Sequence, residues 1–141
     1  MASILAIDYG KKRIGLAVAD LNIKIPILLK PLSYQKEKIE KLYEEIKKIC
    51  DKNKVIKIVI GLPLSFNFEQ TPFCEEIKKF GEELKKNLNK EVIYYNEVLS
   101  TELARKIQKE AQNQPKSFYL KSPQLDSQAA AIILENYLKS L

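Results

Sequence analysis

Asp8, Glu97 and Asp126 are three carboxylates at positions that folding alone does not demand. Asp8 closes the apolar run from Ser3, and an ionised group at the end of a buried strand is costly unless a cation or several donors satisfy it. A turn-opening aspartate that bonds the backbone of its own Asp-Tyr-Gly segment is the simpler alternative. Asp126 shares one helical stripe with Ala130, Ile133 and Tyr137, so it is expected to face whatever that helix packs on. An aspartate in a first turn also complements the helix dipole, a role that works equally well from the solvated side. Glu97 follows the run Val92 to Tyr95 and precedes Ser100, which places it at the carboxyl end of a strand, where open α/β sheets bind their ligands. Taken alone, it reads as an exposed loop acid.

Three converging carboxylates with no histidine or cysteine suit a hard, oxygen-preferring cation such as Mg²⁺ or Mn²⁺. Two such ions about 4 Å apart can activate water and stabilise the leaving oxygen of a phosphodiester. The set therefore points to hydrolytic cleavage of nucleic acid, with Asp8, Glu97 and Asp126 as both metal ligands and catalytic acids. Lys11, Lys12 and Arg13 come directly after Asp8 and are placed to hold flanking phosphates, which position a strand without reading its sequence. A basic turn kept for solubility is the competing explanation. Arg105 and Lys121 are weaker candidates for the same contacts. Phe66 and Phe68, within Ser65 to Gln70, are either base-stacking groups beside the site or core residues.

Such a site needs elements that bring distant residues together. Ser3 to Asp8 and Arg13 to Asp20 read as strands joined by a turn at Gly10, Lys11 and Lys12. An antiparallel hairpin would carry Asp20 to the far end of the sheet, so it is left out of the site. Ile27 to Leu32 carries prolines at both ends and should be an edge strand, because proline donates no ladder hydrogen bond. Ile39, Leu42, Tyr43, Ile46 and Ile49 recur at helical spacing within Lys36 to Lys52. Val55 to Ile60 is a further buried strand. Thr71 and Pro72 read as a cap and first residue of a helix running to about Asn87, with Glu75 and Glu76 complementing its dipole. Glu91 to Tyr95 is a fifth strand, Ser100 caps a helix through Ala111, and Asn113 to Gln124 is a polar loop. A last helix covers Gln124 to Lys139. This order favours an α/β fold with one mixed sheet and helices on its two faces.

The 141 residues, 45% hydrophobic and 30% charged, have the balance of a globular protein and the length of one domain, residues 1–141. A net charge of +6 and a pI near 9.2 favour a polyanionic partner, although much of the lysine alternates with glutamate on helices as a solvated face. The chain has no histidine, and Cys50 and Cys74 lack neighbouring ligands at metal spacing, which argues against zinc. The apolar run at the N-terminus is too short for a signal peptide, and no stretch reaches the roughly 20 apolar residues of a membrane span, so a cytoplasmic location is expected, away from membranes.

Residues Ile7 to Asp20, reading IDYGKKRIGLAVAD, resemble the opening motif of the YqgF family, whose members are also described as Holliday-junction-resolvase-like and as pre-16S rRNA nucleases. Val59 to Leu64 resembles its central strand motif, Asn96 to Thr101 its Asp-Glu-Arg-Leu-Ser-Thr motif, and Asp126 to Leu138 its terminal helix. The resemblance covers nearly the whole chain. It implies a ribonuclease H-like fold with a five-stranded mixed sheet, an acidic site on Asp8, Glu97 and Asp126, and a role in maturing the 5′ end of the small-subunit (16S) rRNA precursor. The implied partner is precursor rRNA or a ribosomal particle, with a DNA junction as the alternative, and the implied state is a monomer or weak homodimer. Asn96 stands where the family has aspartate and Val98 where it has arginine, which removes one phosphate contact.

Three rival readings predict different behaviour. Asp8-Tyr9-Gly10 followed by Gly15 also resembles the phosphate-binding hairpin of actin-like ATPases and sugar kinases, but those need two related domains. A non-catalytic RNA-binding assembly factor would keep its binding when the acids are neutralised. A junction resolvase would need a two-fold dimer to cut two strands symmetrically.

Overall fold

The structure is a computed structural model that describes residues 2–63, 72–96 and 125–141, the side chains of 125 and 126 excepted. Ser3–Tyr9 (β1) and Arg13–Asp20 (β2) form an antiparallel hairpin in which Asp8 lies opposite Gly15 and Ser3 opposite Asp20. Ile27–Ser33 (β3) pairs antiparallel with β2. A 3-10 turn, Lys36–Lys38, leads into helix α1, Ile39–Asn53, and the chain returns as β4, Val55–Leu62, parallel to β1. Helix α2, Phe73–Leu88, precedes β5, Glu91–Asn96, which runs parallel to β4. The last described helix, α3, is Leu125–Lys139.

The sheet order is β3-β2-β1-β4-β5, so the expected five-stranded mixed sheet is present with β3 at one edge. Side chains of β1 alternate between its two faces. Leu5, Ile7 and Tyr9 pack with Leu42, Ile46, Ile77, Phe80 and Leu84 of α1 and α2. Ile4 and Ala6 pack with Ala130, Ile133 and Tyr137 of α3. Because both faces are covered, β1 reads as an unbroken apolar run rather than an alternating one. Burying a Leu or Ile side chain fully is worth about 1.5–3 kcal/mol, so these two layers carry most of the stabilisation.

Local sequence sets most element ends within a residue or two of expectation, the start of α1 being three residues late. The turn at Lys36–Lys38 is 3-10, and regular α-helix starts only at Ile39. Pro72 occupies the N-cap of α2 rather than its first helical position, with φ already helical at −56°, while Glu75 and Glu76 stand in the first turn as the dipole requires. Lys54 and Asn89 close α1 and α2 in the left-handed conformation, and their N–H groups bond back to the carbonyls of Cys50 and Lys85. Among the described residues, no helix is long and apolar enough to cross a membrane. The expected helix after Ser100, the polar loop before Gln124 and the segment carrying Phe66 and Phe68 lie outside the described residues.

Candidate active site

Asp8 sits at the carboxyl end of the central strand, and its parity places it on the α3 face with Ile4 and Ala6. Its neighbours lock it from the other side: Ile7 is fully buried, and the Tyr9 ring lies 4.5 Å from Phe80, 5.7 Å from Phe73 and 5.9 Å from Tyr34, centroid to centroid. The Tyr9 hydroxyl donates to Glu76 Oε1 at 3.4 Å, and the Tyr34 hydroxyl donates to the carbonyl of Gly10 at 2.6 Å. Burial, the Tyr34 hydroxyl and the Glu76 carboxylate hold the Tyr9 phenol well above its ordinary range, so it remains a neutral anchor. Gly10 is required here, because a Cβ would stand 2.5 Å from the carbonyl oxygen of Arg13. The strand end that carries Asp8 is thus held rigidly on the face opposite the carboxylate.

Helix α3 crosses the other face with its N-terminal end toward Asp8, and two contacts at opposite ends fix that direction. Near its start, Ser127 Oγ accepts from the backbone N–H of Leu16 at 3.1 Å and donates to the carbonyl of Leu29 at 2.6 Å. Leu16 is adjacent to Gly15, the cross-strand partner of Asp8. Near its end, Lys57 Nζ donates to the Tyr137 hydroxyl at 3.3 Å, and Lys57 is paired with Ile4 at the opposite end of β1.

The Ser127 bridge exists because the β2–β3 ladder slips between Ile14 and Leu16. Ile14 pairs with Leu32 and Leu16 with Leu29, so Lys30 and Pro31 together oppose Gly15. Beside this bulge the serine hydroxyl is inserted between two ladder groups, the N–H of Leu16 and the carbonyl of Leu29. Ser127, which ties the start of α3 to the sheet, is a residue that the sequence reading misses. Its signal is a polar residue on a sheet-facing stripe with Ala130, Leu134 and Leu138.

Of the acids expected to converge, Asp8 is described in full, Asp126 only as a backbone position in α3, and Glu97 lies outside the described residues. Ala130, Ile133 and Tyr137, the stripe on which Asp126 falls, are all buried against the sheet. Asn96, the residue before Glu97, pairs with Leu62 at the carboxyl end of β4, and β4 is parallel to β1. Among the described residues there is no cluster of three or more metal-type ligands. Asp20 lies at the far end of the hairpin, where Oδ1 accepts from the N–H groups of Asn22 and Ile23 at 2.8 and 3.1 Å, an ordinary turn role.

Lys11, Lys12 and Arg13 occupy the hairpin end beside Asp8 and are exposed, with Lys11 Nζ 5.6 Å from the centroid of the Phe73 ring. Arg105 and Lys121 lie outside the described residues. A cavity of about 760 Å³ adjoins the hairpin, and it is lined by Lys12, Arg13, Lys38 and Lys41 among others. Lys38 and Lys41 do not stand out in the sequence, where they belong to a lysine- and glutamate-rich helix start.

The sequence model of the RuvX family, described as Holliday junction resolvase, matches residues 2–140. A Rickettsia africae protein named "Putative pre-16S rRNA nuclease" is 33% identical over 144 residues, covering 99% of this chain and 88% of its own. A Sulfurihydrogenibium protein of the same name is 34% identical over 145 residues, covering 100% of this chain and 92% of its own. Among solved structures, the Thermus thermophilus RuvC bound to a Holliday junction superposes with a TM-score of 0.58 at 11% identity, over 99% of this chain and 95% of that one. The fowlpox virus resolvase bound to junction DNA gives 0.54 at 17% identity, over 98% and 97%. At such identities the two resolvases speak for the fold alone, that of an RNase H-like α/β protein. The family match and the whole-length relatives go further: this chain belongs to the YqgF/RuvX family.

Proposed function

We propose that this protein is a metal-dependent nuclease that hydrolyses phosphodiester bonds in the precursor of the small-subunit rRNA, at its 5′ end, in the cytoplasm. The observation that carries the reading is the meeting of two elements at one end of the sheet. Asp8 ends the central strand on the α3 face, and Ser127 pins the first turn of α3, which carries Asp126, beside Asp8's cross-strand partner. Glu97 follows a strand whose carboxyl end lies at the same edge of the sheet. The whole-length relatives named as pre-16S rRNA nucleases supply the substrate class.

The donor set fits a hard cation, since it consists of carboxylate oxygens and the chain contains no histidine. Mg²⁺ or Mn²⁺, when bound, would lower the pKa of a coordinated water and neutralise charge on the scissile phosphate. In this reading Asp8, Glu97 and Asp126 hold the cation. Asp8 does so from a backbone fixed by Ile7 and Tyr9, which limits reorganisation of the charged group. No side chain is required as a nucleophile. Lys11, Lys12 and Arg13 would position flanking phosphates, and Arg105 and Lys121 are further candidates. The protein would act as a monomer or weak homodimer.

The test is cleavage of a labelled rRNA precursor, a matched single-stranded DNA and a four-way DNA junction, each with Mn²⁺ or EDTA, by wild type and Asp8→Asn. Cutting of the precursor that needs Mn²⁺ and disappears in the variant, with RNA binding retained, is the expected result. Val98, standing where the family has arginine, favours one second reading, a non-catalytic RNA-binding assembly factor. No cutting of any substrate, with RNA bound equally by both proteins, would refute the nuclease and leave that reading in its place.

A further inference from the structure

The start of α1 sorts its charges onto two sides. Glu40 lines a cavity with Tyr9 and Glu76, and there Lys36 Nζ pairs with Glu76 Oε1 at 3.0 Å. On the other side, Lys38 and Lys41 turn toward Lys12 and Arg13 of the hairpin and line the 760 Å³ cavity. Four cations from three elements meet there a single carboxylate, Glu45. Lys12, Lys38 and Lys41 are exposed, and none of them is in an ion pair among the described residues.

Three features separate this groove from a solvated lysine face. It is concave, with a floor that includes the buried Leu42 and the half-buried Tyr34. Lysines merely covering a helix would not converge with a hairpin 25 residues away in sequence; yet Lys12 accepts, through its carbonyl, the N–H of Tyr34 at 3.0 Å, which draws the hairpin and the chain entering α1 together. Finally, Lys38 is the N-cap of α1 and makes no side-chain cap bond, so the positive end of the helix dipole adds to the lysine charges instead of being quenched by its cap.

We propose that this groove holds the phosphodiester backbone of the substrate strand on one side of the scissile bond, with Lys12, Arg13, Lys38 and Lys41 as its phosphate contacts. The assignment rests on the nuclease reading above for what is cut, but not for what is bound. Lys12 is four residues from Asp8, so their Cα atoms are at most about 15 Å apart, and a strand engaged at Asp8 on the α3 face would pass round the hairpin end to enter the groove on the α1 face. Clustered cations facing a polyanion gain affinity by releasing its counterions, which makes the groove measurable by salt dependence.

The experiment measures binding of a labelled single-stranded oligoribonucleotide by fluorescence anisotropy across a KCl series, with the full chain. The proteins are wild type, Lys38→Gln/Lys41→Gln, the control Lys47→Gln/Lys48→Gln on the same helix, and Asp8→Asn. Removing two phosphate contacts should lower the slope of log affinity against log salt by roughly 1.4 for a single strand. The groove variant should also bind tenfold or more weakly at low salt, while the control and Asp8→Asn keep the wild-type slope. The loss should be equal for matched single-stranded DNA, because phosphate contacts carry no base information. An unchanged slope in Lys38→Gln/Lys41→Gln would overturn the proposal even if the protein cuts RNA. Displacement of the RNA by poly-glutamate as readily as by unlabelled RNA of equal charge would overturn it in favour of an acidic protein partner. If wild type cuts nothing and the groove variant still loses its slope, the nuclease reading fails and the groove stands.

Discussion

Replacing Ser127 by alanine tests how the site end of the sheet is held. The hydroxyl is fully buried and makes two bonds, to the N–H of Leu16 at 3.1 Å and to the carbonyl of Leu29 at 2.6 Å. Each such bond is worth about 0.5–1.5 kcal/mol net, and a buried group left without a partner costs about 1–3 kcal/mol. The Leu16 bond is buried and that of Leu29 partly buried, so water can take over at Leu29 but not at Leu16. Alanine recovers at most about 0.7 kcal/mol of helix propensity. The net expectation for Ser127→Ala is a loss of about 2–3 kcal/mol, read as a lower urea midpoint at unchanged m-value. In a thermal melt this is a fall of roughly 6 to 12 °C for a chain of this size. Ser140→Ala serves as control: its hydroxyl bonds to the Tyr137 carbonyl at 2.6 Å from an exposed last turn, so its effect should stay within about 0.5 kcal/mol. A Ser127→Ala protein as stable as that control would refute the claim that the hydroxyl closes the ladder and fixes α3.

Two further perturbations probe the opposite face. At Gly81 in α2 an added Cβ would lie 2.8 and 2.9 Å from the Cε1 and Cζ atoms of Tyr94, whose hydroxyl is tied to the Lys78 carbonyl at 3.1 Å and to Glu82 at 3.0 Å. Gly81→Ala should therefore lower stability by up to about 2 kcal/mol, overpacking of about 1–3 kcal/mol being offset by a propensity gain of about 1 kcal/mol; denaturant curves showing stabilisation would contradict it. Burial raises the Cys50 thiol from 9.0 to about 11. The folded state keeps that proton where the unfolded chain loses it, so the contribution is complete below pH 9 and falls away as pH rises through 11. The loss is about 2–3 kcal/mol, because each tenfold difference in proton affinity between the folded and unfolded chain is worth about 1.36 kcal/mol. Cys50→Ala should flatten that part of the alkaline stability profile relative to wild type, and parallel profiles would count against it.

What can be read from sequence depends on how far apart the interacting residues lie. Asp8 stands out because a single charge ends an apolar run, and the stripe Ala130, Ile133 and Tyr137 because helical spacing is local; in the fold that run lies between two cores, and the stripe packs in one of them. Cys50 falls four residues after Ile46 on the buried side of α1, and is hidden only if cysteine is counted as polar. Ser127 is different in kind. Its role depends on the bulge between β2 and β3, and its bond to Leu29 spans 98 residues, so its own helix shows only a polar residue on the sheet-facing stripe and not what that residue bonds to. The lysines in and just before the first turn of α1 share that difficulty, since Lys36, Lys38 and Lys41 look alike along the chain, and only the docking of the hairpin decides which of them face Glu76 and which face Arg13.

The same non-local features distinguish this end of the sheet from the other. Asp20 and Asp8 both end strands of one hairpin, but the carboxylate of Asp20 is consumed by two turn N–H groups, at the end where Lys57 and Tyr137 anchor the tail of α3. At the Asp8 end the proline bulge breaks the regular ladder, the serine bridge draws the first turn of α3 to the break, and the carboxyl ends of β4 and β5 open at the same edge. A first turn presents unpaired N–H groups and the positive end of a dipole, which favours negative charge nearby. Straightening the bulge would restore the ladder and remove the two bonds by which Ser127 ties the start of α3 to it, leaving the apolar face of the helix to hold it. The irregularity in the edge strand therefore helps to hold the start of α3 near the Asp8 end, although Pro31 itself stands on the strand farthest from β5.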